Sequence, residues 1–365
     1  MSEKKVFKLA VIPGDGIGIE VVDSGLKVLK YLANKSNGKF DFETDYFPWG
    51  CEYYLEHGEM MAKDGLEQIK NHDAIYFGAV GFPGVPDHIS LWGLRIAICQ
   101  GFDQWANIRP VEFLPNVESK LNHPNVKELD WVLIRENSEG EYSGVGGRNF
   151  TGRGLNNEVA VQSSLFTEKG CERVIRYAFE TARQRKRKKV TSVTKSNAQQ
   201  YGMVLWDEVF ERVSKDYPDV ETDKWLIDAM AAQFVLHPEE LEVVVASNLL
   251  ADILSDLGSA LAGSLGIAAS ANLNPDKRYP SMFESVHGSA PDIAGKGIAN
   301  PIGAIGSAAL MLEELGLTEE AKQVNQAIKN ATSKGYLTAD IGGTTNTTEM
   351  TDAIINELAN IKVNA

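Results

Sequence analysis

Asp252 and Asp256 are the residues whose type and spacing most directly suggest chemistry. They stand four apart in EVVVASNLLADILSDLG (242–258), so on a helix both carboxylates leave one face, one turn from each other. Like charges at that spacing cost roughly 0.2–0.5 kcal/mol on an isolated helix, and a divalent cation would remove the repulsion. A solvated acidic face is the plain alternative. A second set is basic: Arg95 in WGLRIAI, Arg109 in ANIRP and Arg135 in LIREN. The planar guanidinium matches a carboxylate, so two or three converging arginines would read a dicarboxylic acid, whereas singly each suits a surface ion pair. Lys195 ends the run VTSVTK, ahead of Ser196 and Asn197. Beside acids and a metal its pKa could fall far enough for it to act as a base; alone it is an ordinary lysine. Tyr142 in GEYSG and Asp228 in LIDAM are further polar candidates. The histidines are scattered, with no HExxH, so a zinc site is not expected.

Two glycine-rich stretches could approach a ligand through their backbone. IPGDGIG (12–18) lacks the last glycine of the dinucleotide fingerprint, since Ile19 stands there, and it is no Walker A loop. A simple tight turn explains it as well. HGSAPDIAGKGIANP (287–301) is long for a structural loop and precedes a helix. Its Asp292 could accept from a ribose 2′-hydroxyl and would repel a 2′-phosphate, which favours NAD over NADP.

These residues need elements to hold them. Val243–Ala246 is a continuous apolar run suited to a strand buried on both faces. Ser247 or Asn248 can then cap a helix whose buried stripe is Leu250, Ile253, Leu254 and Leu257. Strand-like and helical runs alternate from the start: strand 6–12, helix 17–35, strand 40–47, helix 61–71, strand 74–80. That order implies an α/β fold with a largely parallel sheet. Residues 89–104 look helical, 105–113 and 131–136 extended, 142–161 like a projecting arm that a partner subunit could clasp, and 222–230 extended. Expected boundaries near 100 and 260 give a large lobe of 1–102 with 260–365 and a smaller lobe of 103–259. The balance of 36 basic against 50 acidic residues argues against nucleic acid or anionic membranes as main partners. Three scattered cysteines suit a reducing compartment, and no segment reads as a signal peptide or membrane span, so a cytoplasmic protein is expected.

In order along almost the whole chain, IPGDGIG, ANIRP, RENSEGEYSG, TKSN, IDAMAAQFV, SNLLADILSDLG and HGSAPDIAGKGIANP resemble the motifs of the metal-dependent β-decarboxylating dehydrogenases. That family includes enzymes of isocitrate, 3-isopropylmalate and tartrate or D-malate. The resemblance implies two α/β lobes around a cleft, a mixed and largely parallel sheet, and a nucleotide bound by loops rather than by a Rossmann crossover. It implies a homodimer with shared active sites. Asp252 and Asp256 would bind Mg²⁺ or Mn²⁺ with Asp228 from the other subunit. Arg109 and Arg135, with Arg95 and Asn197, would contact the substrate. Lys195, also from the other subunit, would take the hydroxyl proton and Tyr142 would protonate the enol. Glu284, His287, Gly288, Ser289, Ala290, Asp292 and Asn300 would line the NAD site, and the family leaves room for a monovalent cation such as K⁺.

One departure bears on substrate. Ten residues before the ANIRP arginine the isocitrate and isopropylmalate enzymes carry another arginine, and here Cys99 occupies that place. The contact is then lost or moved to Arg95, and Trp92 and Ile96 replace the leucine pair expected around an isopropyl group. Together with HISLWG, FDQWANIRP and ASANLNP this favours the tartrate/D-malate branch. The alternatives are 3-isopropylmalate or isocitrate as substrate, a metal-dependent phosphate-ester hydrolase, and a non-catalytic regulatory subunit.

Overall fold

The structure is a computed structural model describing residues 4–361 except 153. Its strands among these residues are β1 (Lys5–Gly14), β2 (Phe40–Tyr46), β3 (Ala74–Ala79), β4 (Ala106–Glu112), β5 (Asp130–Glu136), β6 (Gly140–Asn149), β7 (Val159–Leu165), β8 (Lys189–Thr194), β9 (Glu221–Leu226), β10 (Val243–Ala246), β11 (Ala269–Leu273) and β12 (Ser281–Ser285). The chain divides into two compact units. The first comprises residues up to Gln104, Ile108–Asp130 and everything from Asp256; the second comprises Trp105–Asn107 and Trp131–Ser255. Among the described residues no helix is long and apolar enough to cross a membrane.

In the first unit, β1 pairs in parallel with both β2 and β3, β3 with β12 in parallel, and β12 with β11 antiparallel. Every residue of β3 is buried, as expected of a parallel strand covered on both faces. The helix Gly18–Lys35 follows β1 and buries Val21, Val22, Val28, Leu29 and Leu32, the 3.6-residue stripe that the sequence shows. The Tyr76 hydroxyl of β3 is buried too, and it donates to the Ala304 carbonyl at 2.7 Å. That bond satisfies a polar atom whose burial without a partner would cost about 1–3 kcal/mol.

In the second unit β5, β10, β8 and β9 are all parallel neighbours. β10 and β8 are buried throughout, and β10 covers the four residues expected of it. β6 and β7 form a separate antiparallel ribbon whose β7 is exposed along its length, the projecting arm of the sequence reading.

Three expectations change. Residues 108–130 belong to the large unit, not the smaller one. They are stitched there by Asn116, which donates to the carbonyls of Thr332 and Ser333, by Ser119 and Lys120, which donate to Leu261, and by the Lys329–Glu112 ion pair. Asp228 to Met230 are helical rather than extended, because Met230 and Phe234 bury one face of the helix Ile227–Leu236. In the helix Asn248–Ala262, Leu250 and Leu254 are buried but Ile253 is 54% exposed, so the buried stripe is narrower than its apolar positions suggest.

Candidate active site

In the second unit the parallel strands end in polar residues. Arg135 stands near the C-terminal end of β5, beside the end of β10, and its side chain is only 3% exposed. Its Nε and Nη2 donate to Asn248 Oδ1 at 3.0 and 2.7 Å, and Nη1 donates to Asp252. The other oxygen of Asp252 accepts from the Tyr142 hydroxyl at 3.2 Å, and the guanidinium carbon lies 5.5 Å from the centre of the Tyr142 ring. Three expected site residues therefore share one hydrogen-bonded cluster.

A turn carrying three carboxylates supports it, RENSEGEY. Glu141 accepts from the Ser247 hydroxyl at 2.9 Å and from the Leu249 amide at 3.1 Å, which satisfies donors at the helix N-terminus ahead of Asp252. Glu139 accepts from the Thr167 amide and hydroxyl, both at 2.8 Å. Glu136 is buried, and burial pushes its carboxyl up to about 7 although the Ser138 amide and hydroxyl and the Glu139 amide donate to it. These residues lie inside a motif quoted from the sequence, yet their roles depend on partners far along the chain.

Lys195 follows β8, and its ammonium donates to Asp228 in the first turn of the helix Ile227–Leu236. That bond holds the Asp228 carboxyl below its usual range. Asp228 is 66% exposed on its side chain, and Asn197, in the turn after Lys195, is exposed as well. Asp256 is also exposed.

In the first unit Arg95 pairs with Glu284: its Nε donates to Oε1 at 2.8 Å, and Nη2 reaches Asn272 Oδ1 at 3.3 Å. Asn272 donates to the same Glu284 oxygen at 2.7 Å. Burial opposes charge on Glu284, but Arg95, Asn272 and the field of Arg109 together outweigh it and hold the carboxyl below its usual range. A residue expected on the substrate and one expected on the coenzyme are thus each other's partners. Arg95 sits in a π-helical turn, Leu91–Ile96, a form that recurs at functional sites. Cys99, in the following helical turn, packs into the core with Leu94, Ile98, Phe102 and Met282.

The loop from His287 is anchored at both ends of its backbone. Its Ser289 carbonyl accepts from the Ile17 amide at 2.8 Å and its Gly297 carbonyl from the Thr347 amide at 2.9 Å. Asn300 is buried, donates to Asp340 at 3.0 Å and accepts from the Ile302 amide. Ala290 holds a φ of +38°, a region that costs a non-glycine residue about 1 kcal/mol or more. Asp292 and Gly288 are exposed. His287 Nδ1 lies 2.9 Å from the Gly288 carbonyl, and Nε2 is shut from solvent with no hydrogen-bond partner among the described residues. Burial holds its imidazole below the usual pKa, so the ring is neutral near pH 7.

The sequence profile of the family described as isocitrate/isopropylmalate dehydrogenase matches residues 8–354. The chain belongs to that family. It is 54% identical over 97% of its length to a probable tartrate dehydrogenase/decarboxylase of Agrobacterium vitis, covering 98% of that protein. To the D-malate dehydrogenase [decarboxylating] of Escherichia coli it is 48% identical, over 96% of this chain and 98% of that one. The crystal structure of isocitrate dehydrogenase from Methylococcus capsulatus superposes with a TM-score of 0.85 at 33% identity, over 96% of this chain and 99% of the other.

The residues present fit the groups on which dehydrogenases of this family generally depend, NAD and a divalent metal. Asp252 and Asp256 offer hard carboxylate oxygens one helical turn apart, with the Asp252 side chain 35% open to solvent. A neutral His287 with a bare, enclosed Nε2 suits a ligand N–H donor. Beside it Val80–Asp87 with Gly288, Ser289 and Pro291 line a recess of about 670 Å³. As a dehydrogenase the chain is an oxidoreductase. Asp340 and Asn272 escaped the sequence reading because nothing in LTADIGG or ANLNP sets them apart locally; only the fold brings them to Asn300 and Glu284.

Proposed function

We propose that this protein oxidises small hydroxy-dicarboxylates, tartrate and D-malate, with NAD⁺ and Mn²⁺ or Mg²⁺, and decarboxylates the β-keto acid where one forms. The observation that carries the proposal is the hydrogen-bonded cluster of Arg135, Asp252 and Tyr142, side chains suited to reading a carboxylate, holding a metal and donating a proton. The similarity to relatives named for tartrate and D-malate supports the choice of substrate.

In this mechanism Arg109 and Arg135 hold the substrate's carboxylates, and the buried Arg135 is kept rigid by Asn248. The cation, on Asp252, Asp256 and the partner's Asp228, would acidify the substrate hydroxyl and stabilise negative charge on the neighbouring oxygens. The partner's Lys195 would take the hydroxyl proton at Nζ, and NAD⁺, when bound, would supply the hydride acceptor. Loss of CO₂ from the keto acid leaves an enolate, and the Tyr142 hydroxyl donates the proton to its carbon. Asp292 accepts from the adenosine ribose 2′-hydroxyl, which favours NAD⁺ over NADP⁺.

The shared-site homodimer has its own support. Leu236 and Ile253 expose 66 and 54% of their surfaces on helices of the second unit, Tyr201 exposes 82% just ahead of the helix Gly202–Ser214, and Val145, Val161 and Leu165 are exposed on the arm. Apolar side chains exposed in this way support burial against a second copy of the chain.

The test is NADH absorbance with purified protein, NAD⁺ and Mn²⁺, offered D-malate, L-tartrate, meso-tartrate, isocitrate and 3-isopropylmalate in parallel. Turnover of D-malate and a tartrate, abolished by chelation and restored by Mn²⁺, is the expected result. Turnover of 3-isopropylmalate alone would overturn the substrate assignment and leave the family untouched.

A further inference from the structure

The turn after β1 carries a buried carboxylate with no cation paired to it among the described residues. Asp15 is 5% exposed, and its two oxygens are divided between backbone donors of two separate segments. Oδ1 accepts from the Cys51 amide at 2.8 Å, and Oδ2 accepts from the Gly81 amide at 2.9 Å. Burial first, then Asp15, push the neighbouring Cys51 thiol up to about 12, so it stays protonated beside the carboxylate. The same turn also donates twice: the Asp15 amide to the Ala79 carbonyl and the Ile17 amide to the Ser289 carbonyl, both at 2.8 Å. Gly81 and Ser289 are the two sides of the recess assigned above to the coenzyme.

The glycines of the turn serve these same contacts. A Cβ at Gly16, where φ is +59°, would lie 2.0 Å from the Ser289 carbonyl oxygen. At Gly14, where φ is +67°, it would lie 1.9 Å from the Ala79 carbonyl oxygen. Their missing side chains are replaced by protein backbone, so those faces of the turn are closed to phosphate.

We propose that Asp15 is a positioning residue for coenzyme binding: with Gly16 and Ile17 it fixes the Gly81 loop and the Ser289 loop at the spacing the coenzyme needs, without touching it. This rests on the assignment of the recess to NAD. A carboxylate is needed because both oxygens must accept; an amide would turn an N–H towards one of the two donors.

The test is Asp15→Asn in the full-length enzyme, with steady-state kinetics against D-malate and NADH binding by fluorescence. The expected result is a KM for NAD⁺ and a Kd for NADH raised about tenfold, with kcat and the KM for D-malate within about twofold. A folded variant with unchanged coenzyme affinity overturns the proposal. So does one in which kcat and both KM values worsen together, as general loosening would give. Hydrogen exchange on the wild-type enzyme stands even if the variant does not fold. Without NAD⁺ the Gly81 and Ile17 amides should already be protected, while residues 288–290 gain protection only when NAD⁺ is added. Rapid exchange at Gly81 and Ile17 removes the clamp. A wild-type enzyme that ignores NAD⁺ in the D-malate assay would defeat the functional assignment instead, and the exchange data would still report on the clamp.

Discussion

The molecule has two glycine-rich loops that look alike in sequence and differ in what fills the space their glycines leave. In the turn 14–18 that space holds other backbone: the Ser289 carbonyl against Gly16 and the Ala79 carbonyl against Gly14. In the loop 287–301 a Cβ at Gly288, Gly295 or Gly297 would meet nothing within 4 Å. The first loop is a joint and the second is an open wall. A motif search weighs both equally, because each satisfies the same rule that glycine permits close approach. The neighbour decides whether the close approach is to the protein or to a ligand.

If both loops serve the coenzyme, neither governs the chemical step, and the largest kinetic effect belongs outside them. Lys195→Met should lower kcat by about a thousandfold, with the Kd for NADH unchanged. Wild-type turnover in that variant would remove Lys195 from proton transfer, and a matching loss of NADH affinity would show that the two functions are not separate. Next in size is the steric contrast. Gly16→Ala forces a methyl into the Ser289 carbonyl at a φ of +59° and should cost about 3 kcal/mol or more of stability. Gly297→Ala, at a φ of +66° but in open space, should cost only about 1 kcal/mol. Equal losses by urea unfolding would erase the distinction between joint and wall. Asp292→Ala, on the open wall, should raise the KM for NAD⁺ about tenfold and narrow the preference over NADP⁺, as a lost charge-assisted hydrogen bond would. An unchanged KM would place the ribose elsewhere.

Regular elements were legible because burial leaves a periodic trace. The run Val243–Ala246 and the stripe of the helix Gly18–Lys35 appear where the apolar pattern puts them. The misses have local causes. Cys51–His57 forms a helix, although CEYYLEH buries only Cys51 and so shows no stripe. Ile253 reads as core by spacing but is exposed, because its neighbours at 249 and 256 share an open face. In the site, Asp252 and Asp256 announce themselves by their spacing. The partners that orient Arg135 and Arg95, Asn248 and Glu284, lie 113 and 189 residues away and leave no such trace. Asp15 hid for a different reason. It was read as part of a glycine turn, where attention goes to the glycines, while its carboxylate organises residues up to 66 positions away.

The smallest expected effect is the most discriminating. Gly288 has an ordinary φ, is exposed, and has no heavy atom within 4 Å of an added Cβ. Gly288→Ala should therefore leave the unfolding free energy within about 0.5 kcal/mol of wild type, since neither backbone strain nor overlap opposes the methyl. The methyl would nonetheless stand in the recess shared with Gly81 and Ser289, and the KM for NAD⁺ should rise about threefold with kcat unchanged. A loss of stability would mean that the wall is packed against something in solution. Unchanged stability with unchanged KM would mean that the coenzyme does not approach the backbone there, leaving the clamp of Asp15 without the pocket it is argued to hold. Only a stable variant with a weakened KM separates a glycine kept for a ligand from one kept for the fold.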